Sequence, residues 1–382
     1  MNTNNPELPP IVWCKRCVYP SSSAVPLSFD ENGVCSGCRV HEQKKGIDWS
    51  RRLKLLLDEV DQYRRPTGYE CVIGVSGGKD SYYQTHFVTQ VLGLKPLLVT
   101  YNGNNYLDVG WKNLLRMKEV FNADHIIISP SVDMLVRMNR LGFRKTGDMN
   151  WHAHAGIFTL PMKLALKFGI PLVFWGEHGW TDVGGMLSMR DFPEFTYRYR
   201  VDQGLRGYDW PDFLGDFEDP LMENELECYK YPADDEIMKV GLRGFFIGNF
   251  DPWDANAHTE LIKQRYGWKE SPVPFERTYR RMSNLDDRYE NGAHDYMKYI
   301  KFGYGRATDH ACKDIRAGYM SREKGIEMVR AYDHVRPSDL DYWLNYISRD
   351  EKWFSDIADA FRSPRVWIRE RSGEWVKRNI WD

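Results

Sequence analysis

The chain has 382 residues, of which 42% are hydrophobic and 28% are charged, which is typical of a globular protein. This length is too great for one ordinary core and favours two domains with a small additional segment. Its formal net charge of −2 argues against a broad nucleic-acid-binding surface, which is normally basic. No apolar run is long enough to span a membrane, and residues 1–10 lack the pattern of a secretory signal. We therefore expect a cytoplasmic protein, and the seven cysteines fit that reducing compartment.

Two CxxC pairs near the amino terminus predict a metal site. The first pair is Cys14 and Cys17, and the second is Cys35 and Cys38. Two such turns can present four thiolates to one tetrahedral ion. We expect zinc, with an iron–sulfur cluster as the alternative, because four cysteines hold either. A four-thiolate zinc site is closed, so the predicted role of this ribbon, residues 1–45, is structural.

The next feature is a turn that follows the apolar run 71–75. Its sequence is Ser76-Gly77-Gly78-Lys79-Asp80-Ser81. Adjacent glycines let the backbone approach an anion, helix N-terminal amides point at it, and the lysine adds a positive charge. The pattern resembles the PP-loop of ATP pyrophosphatases, which split ATP into AMP and pyrophosphate. It predicts that all six residues bind ATP, with Asp80 as a Mg²⁺ ligand. The alternative for Asp80 is a helix cap.

Strands and helices alternate beyond this turn. Strands are predicted at 70–75, 97–101, 125–129 and 171–175, with helices of 10–15 residues between them. This order predicts an α/β domain with a parallel sheet over residues 46–190. Ligands bind at the carboxyl ends of such strands. Three residues that follow strands are therefore candidates: Asn102 for the nucleotide, and Glu177 and His178 for catalysis. The alternative is that the last two only close a turn.

Three further segments carry candidate residues. His152 and His154 favour substrate binding or packing over a metal site. Arginines 190, 198, 200 and 206 stand among aromatic residues, which suits an anionic ligand or, equally, a solvated strand. Lys301 and Arg306 flank a glycine-rich loop that we predict to be a second, catalytic anion site before a helix capped by Thr308 and Asp309. The alternative is a loop with solvated cations. Residues 191–382 are predicted to be mainly helical and to bind substrate or a partner.

Taken in order, these motifs resemble the N-acetyl sugar amidotransferases, the WbpG- and PseA-like proteins of bacterial surface-polysaccharide and nonulosonic-acid pathways. The resemblance rests on the cysteine pairs, the PP-loop, the strand end 175–179 and the loop 301–306. It implies an adenine nucleotide alpha hydrolase-like fold with ATP, Mg²⁺ and Zn²⁺. The implied reaction converts an acetamido group on a sugar into an acetamidino group, with release of AMP and pyrophosphate.

The same resemblance implies partners. We find no glutaminase signature, because Cys71 falls in a buried strand and Cys228 and Cys312 lack a nucleophile elbow. Ammonia would then come from a separate glutaminase with a cyclase-like barrel subunit resembling imidazole glycerol phosphate synthase. Two alternative hypotheses of function stay open: that the protein is a PP-loop tRNA thiolase, or that it is a non-catalytic assembly protein.

Overall fold

The computed structural model describes residues 9–103, 106–179, 181, 184–185, 189 and 194–377. The strands are β1 (Cys71–Gly74), β2 (Pro96–Tyr101), β3 (His125–Ile128), β4 (Leu172–Trp175), β5 (Arg243–Phe246), β6 (Trp367–Arg369) and β7 (Trp375–Lys377). The helices of the first half are α1 (Ser36–Gln43), α2 (Trp49–Val60), α3 (Lys79–His86), α4 (Asp108–Val120), α5 (Val132–Thr146), α6 (Trp151–Lys167) and the short α7 (Tyr197–Tyr199). The later helices are α8 (Asp234–Val240), α9 (Ala255–Tyr266), α10 (Glu290–Phe302), α11 (Arg306–Ala317), α12 (Arg322–Tyr332), α13 (Asp339–Tyr346) and α14 (Glu351–Ala360).

The central element is a five-stranded sheet in the order β3-β2-β1-β4-β5. All four neighbouring strand pairs are parallel, with Cys71 opposite Pro96 and Leu172 on its two sides. Strands β1, β2 and β4 are almost entirely buried and mostly apolar because helices cover both faces of the sheet. The predicted α/β class with a parallel sheet is confirmed.

Alternate residues of each strand belong to two different cores. Val72 and Val173 face the core formed with α5 and α6. Ile73 and Phe174 point to the opposite face, where α2, α3, α4 and α9 pack. This alternation is the period of two expected for side chains in a strand. Because β1 and β4 are parallel neighbours, the turns that follow them lie side by side at the carboxyl-terminal edge of the sheet.

The fifth strand comes from a part of the chain that the sequence pattern assigned to the mainly helical region. β5 pairs with β4 over residues 243–246, beyond the predicted domain boundary at 190. No fifth strand was predicted, because the short run Arg243-Gly-Phe-Phe carries no alternation to separate it from a loop. The division into three domains stays a prediction.

Two helix boundaries differ from the predicted ones. α6 begins at Trp151, so that His152 and His154 lie on a helix and diverge. α11 begins at Arg306 with Gly305 as its N-cap, whereas Thr308 and Asp309 were expected to cap it. Their side chains have other partners: the Thr308 hydroxyl donates to Asp333 and Asp309 accepts from Tyr19.

The described carboxyl-terminal region is mainly helical, as predicted. Helices α10, α13 and α14 share a buried core around Trp343, which also includes Phe143 of α5. The cysteine ribbon packs on α11 and α12 through Tyr304, Ala311 and Val329. Across the described ranges, no helix combines the length and apolar character needed to cross a bilayer.

Candidate functional site

The turn after β1 has the geometry of an anion cradle. Gly77 has a φ of 73°, and a Cβ added there would lie 2.7 Å from main-chain atoms of Leu114. Only glycine meets both conditions without strain. The Trp268 indole donates to the Gly77 carbonyl at 3.0 Å, and the Ser76 amide donates to the Ser81 hydroxyl at 2.8 Å. These bonds hold the turn in one conformation.

Helix α3 begins at Lys79 directly after this turn. Its N-cap, Gly78, provides no side-chain cap, so the first amides of α3 are left for another acceptor. The positive end of the helix dipole and the Lys79 ammonium both favour an anion at this point. A phosphate group fits this set of donors.

Asp80 occupies the first turn of α3, and its carboxylate contacts the Lys79 ammonium at 2.5 Å. Burial raises the pKa of Asp80, but the charges of Lys79, Lys313 and His258 outweigh that effect and hold it below its ordinary value. Its Oδ1 is buried and has no hydrogen-bond partner in the described part of the chain. A carboxylate with a free oxygen beside a phosphate cradle fits a divalent cation.

Glu177, which follows β4, lies at the same edge of the sheet. Both of its carboxylate oxygens accept from Lys313 of α11, at 2.6 and 2.7 Å. Burial raises the pKa of Glu177, and the Lys313 ammonium more than compensates, so that the carboxylate is ionised. Lys79 and Asp80 contribute to its electrostatic environment as well. The structure thus brings Lys79, Asp80 and Glu177 together.

His178 points elsewhere. Its ring packs edge-on against Phe246, with ring centroids 4.4 Å apart, and its Nδ1 accepts from the Thr181 hydroxyl or amide. Burial lowers the pKa of His178 to about 4, so the ring is neutral at pH 7. This position suits packing of the turn. The predicted catalytic role of His178 stays a prediction without geometric support.

We name the turn of residues 76–81 the phosphate turn. A cavity of about 360 Å³ adjoins it, and we name this cavity the turn cavity. Its wall includes Ser76 and Ser81 of the turn, and Gly103 after β2. Asn102, the predicted nucleotide contact, is not in that wall; its amide donates to the Ser129 hydroxyl at 2.9 Å. Three carboxylates, Asp286, Asp287 and Glu290, also line the turn cavity. The sequence analysis did not select them, since adjacent acids in a loop are common.

A second cavity, of about 700 Å³, carries five cationic side chains, and we name it the basic cavity. The cations are Arg206, Lys298, Lys301, Arg306 and Lys313. The Lys301 ammonium donates to the Thr146 carbonyl at 2.8 Å. Burial, together with the Arg206 charge, lowers the pKa of Lys301 to about 8.

Arg306 belongs to both cavities. Its guanidinium pairs with Asp295 at 2.7 Å, and His154, Phe158 and His294 also line both spaces. The predicted residues Lys301 and Arg306 therefore lie beside the turn cavity, on its basic side. The two cavities therefore adjoin at these shared residues, and we call this place the junction.

Only part of the arginine-rich segment reaches a cavity. Arg206 pairs with Asp148 at 2.9 Å in the wall of the basic cavity. Arg200 is buried against Asp209 and Tyr231, and Arg198 is exposed beside Asp202. Residue 190, the first arginine of the segment, lies outside the described residues.

The two predicted histidines of α6 have different surroundings. His152 is fully buried, with Nδ1 2.8 Å from the Tyr101 hydroxyl and Nε2 3.1 Å from the Glu290 carboxylate. His154 lines both cavities, as described above. Within the described residues, the four cysteines form the group of potential metal ligands, and neither histidine belongs to it.

The four cysteines form one compact cluster. All are buried, and their sulfur atoms lie within 4.8 Å of one another, with Cys14 to Cys38 at 3.9 Å and Cys17 to Cys35 at 3.7 Å. Sulfurs bound tetrahedrally to one ion at about 2.3 Å are about 3.8 Å apart. Backbone amides of Arg16, Cys17 and Cys35 donate to the Cys14 sulfur at 3.3–3.4 Å, as expected for a thiolate. The four residues therefore fit a metal ion.

Residues 276–379 match the family described as LPS biosynthesis protein WbpG-like, C-terminal domain. This part of the chain is similar to that domain, and we refer to it as the WbpG-like domain. The sequence-based resemblance is confirmed here. The WbpG-like domain includes α10 and α11, and it provides Lys301, Arg306 and Lys313 to the basic cavity. No curated protein matches the chain.

Solved structures share weak similarity with the chain. The NH3-dependent NAD synthetase from Campylobacter jejuni subsp. jejuni has 14% identity and a TM-score of 0.28; the alignment covers 37% of this chain and 62% of the synthetase, less than two thirds of its length. NMN synthetase from Francisella tularensis has 12% identity and a TM-score of 0.29, with 60% and 99% covered. The U34-tRNA thiolase NcsA from Methanococcus maripaludis, with its [4Fe-4S] cluster, has 13% identity and a TM-score of 0.28, with 81% and 86% covered. At these scores the fold assignment rests on the sheet topology above.

Proposed function

We propose that the protein uses ATP to adenylate the acetamido oxygen of an N-acetylated sugar and replaces that oxygen by ammonia. The products are an acetamidino sugar, AMP and pyrophosphate. The observation that carries this proposal is the junction at Arg306, where the cavity beside a phosphate cradle meets a basic cavity to which the WbpG-like domain provides four of the five cations. Such an arrangement suits ATP on one side and an anionic sugar substrate on the other.

The chemistry needs positioning and charge stabilisation more than an enzyme nucleophile. An amide oxygen is a poor leaving group, and its bond to the α-phosphorus of ATP allows it to depart as part of AMP. The amides of the phosphate turn and Lys79 would hold the β- and γ-phosphates, on which charge accumulates as pyrophosphate leaves. Lys313 and Arg306 would stabilise the α-phosphate and the sugar anion from the other side.

Asp80, with its unpartnered Oδ1, would hold a magnesium ion that neutralises charge between the phosphates. The four cysteines would hold zinc in a closed, structural site. The proposed reaction includes no step at the cysteine cluster.

We further propose that a glutaminase with a cyclase-like barrel subunit supplies ammonia, since most free ammonia is ammonium at neutral pH. The family description names lipopolysaccharide biosynthesis, and we propose surface-polysaccharide biosynthesis, such as that of O-antigen or flagellin glycan, as the setting.

An oxygen-labelling experiment tests the reaction. The purified protein receives ATP, Mg²⁺, ammonium and candidate acetamido sugars, either nucleotide-linked or acidic, with ¹⁸O in the acetamido group. We expect the label in AMP, together with an acetamidino product. ADP and phosphate as products, or AMP without label, would contradict the proposal. Full turnover with glutamine by this chain alone would contradict the proposed partner.

A further inference from the structure

The turn cavity has an acidic wall that ATP does not explain. Asp286, Asp287 and Glu290 line it, although the phosphate turn in the same cavity is built for an anion. Three carboxylates beside a bound polyphosphate repel it unless a cation lies between them. A positively charged ligand at the wall would relieve this repulsion.

The protein's own groups neutralise this wall only in part: burial raises the pKa of Asp286, although a hydrogen bond to Ser76 and the Lys79 charge act in the opposite direction. Glu290 accepts from the Asn139 amide at 2.8 Å and from His152, in a buried network. Asp287 accepts the Glu290 amide at 2.7 Å, and in the described ranges no ion pair reaches Asp286 or Asp287. Burial and the neighbouring carboxylates raise the pKa of Asp287 well above its ordinary value, although Arg277 acts in the opposite direction. A cation at this wall would relieve that repulsion.

An independent feature of the same cavity indicates what the cation offers. Asn150 is 7% exposed and lines the turn cavity, and its Oδ1 has no hydrogen-bond partner in the described part of the chain. A buried amide oxygen without a donor costs about 1–3 kcal/mol, so such an atom is normally satisfied by a ligand or water. The Asn150 Oδ1 and the carboxylate oxygens are all acceptors. Together they suit a ligand that carries several N–H donors and a positive charge.

We propose that this wall, formed by Asn150, Asp286, Asp287 and Glu290, binds the nitrogen donor as ammonium and then holds the amidinium group of the product. The inference rests on the proposed amidotransferase function and deepens it. Asp287 accepts one proton from ammonium, and the ammonia nitrogen then attacks the adenylated carbon. The C–N bond forms, the C–O bond breaks, and AMP leaves with the electron pair of that bond. The product amidinium carries its positive charge beside the carboxylates.

The test separates adenylation from nitrogen transfer. Exchange of labelled pyrophosphate into ATP, in the presence of the acetamido sugar, reports adenylation without ammonium. AMP formation with ammonium chloride reports the second step. We expect Asp287→Asn and Asp286→Asn to raise the KM for ammonium by about ten- to a hundredfold, the size of a lost hydrogen bond to a charged group. Exchange should remain measurable in both variants, which also shows that they fold.

A probe and a control complete the design. Acetamidinium chloride should compete with ammonium in the wild type and lose potency in both variants. Asp356→Asn, which removes an exposed carboxylate on α14, should change neither quantity. If the variants keep the wild-type KM for ammonium, or if they raise the Mg²⁺ requirement for exchange instead, the inference is wrong. If the wild type shows no exchange with any acetamido sugar, the proposed function itself fails.

Discussion

The Lys313 ammonium lies 2.6 Å from Oε1 of Glu177 and links α11 of the WbpG-like domain to the end of β4. Both side chains are about three-quarters buried, and Lys79 and Asp80 share their electrostatic environment. The candidate site is therefore composite: the sheet provides the phosphate turn, and the carboxyl-terminal helices provide cations to face it.

Replacing Lys313 with methionine tests this composite site. We expect Lys313→Met to slow pyrophosphate exchange by about tenfold or more, because a charge beside the phosphates is lost. It also leaves Glu177 without its partner, so the free energy of unfolding should fall by about 2 kcal/mol. Lys324→Met breaks the exposed pair with Glu327 on α12 and is the matched control. Wild-type exchange in Lys313→Met would exclude Lys313 from the site.

The cysteine cluster gives a second prediction, with stability as its readout. Cys35→Ser should lose the bound metal, and the ribbon should then unfold at a lower temperature, because structural zinc sites contribute about 10 kcal/mol to folding. The Arg316 guanidinium lies 3.5 Å from the Cys35 sulfur, so α11 should be affected as well. Metal content and thermal unfolding, with and without a chelator, measure both effects.

The control for this variant is Cys228→Ser, because Cys228 is half-buried and lies outside the cluster. It should keep the metal and the wild-type melting temperature. A brown protein that contains iron would favour the iron–sulfur alternative over zinc. An unchanged melting temperature in metal-free Cys35→Ser would contradict the structural role.

Sequence patterns could predict the sheet and the phosphate turn because each depends on local features. Buried parallel strands are apolar runs, and the turn needs Gly77 for its positive φ and Lys79 for its charge. The rule that ligands bind at carboxyl ends of strands also selected Glu177, which lies in the electrostatic environment of Asp80; its catalytic role stays a prediction.

The remaining site residues carry no local signal. Lys313 is one of several polar residues on an amphipathic helix, and it meets Glu177 only through packing between segments 136 residues apart. From the sequence, Asp286 and Asp287 are indistinguishable from acids in a surface loop, whereas in the structure they lie in the wall of the turn cavity, just before α10. His178 shows the converse, since adjacent residues at a strand end point in opposite directions and only Glu177 faces the turn.

His178 provides a third prediction. His178→Asn should slow exchange by less than about threefold and lower the melting temperature by a few degrees, because the ring packs on Phe246 and accepts from Thr181. Because burial lowers its pKa to about 4, activity should show no transition near pH 6.5 from this residue. A loss of a hundredfold or more in a well-folded variant would restore the catalytic role predicted from sequence.

The basic cavity gives a prediction with a defined pH dependence. Burial and Arg206 lower the pKa of Lys301 to about 8, so the ammonium is charged at pH 7 and loses its proton as pH rises above 8. If the sugar substrate carries an anion in this cavity, its KM should rise between pH 7 and 9 by up to about tenfold, because a group with a pKa of about 8 keeps roughly a tenth of its charge at pH 9. Lys301→Arg keeps the charge over this range and should show a flatter profile. The KM for ATP is the internal control, because Lys301 does not line the turn cavity. The same rise in wild type and Lys301→Arg would show that another group titrates.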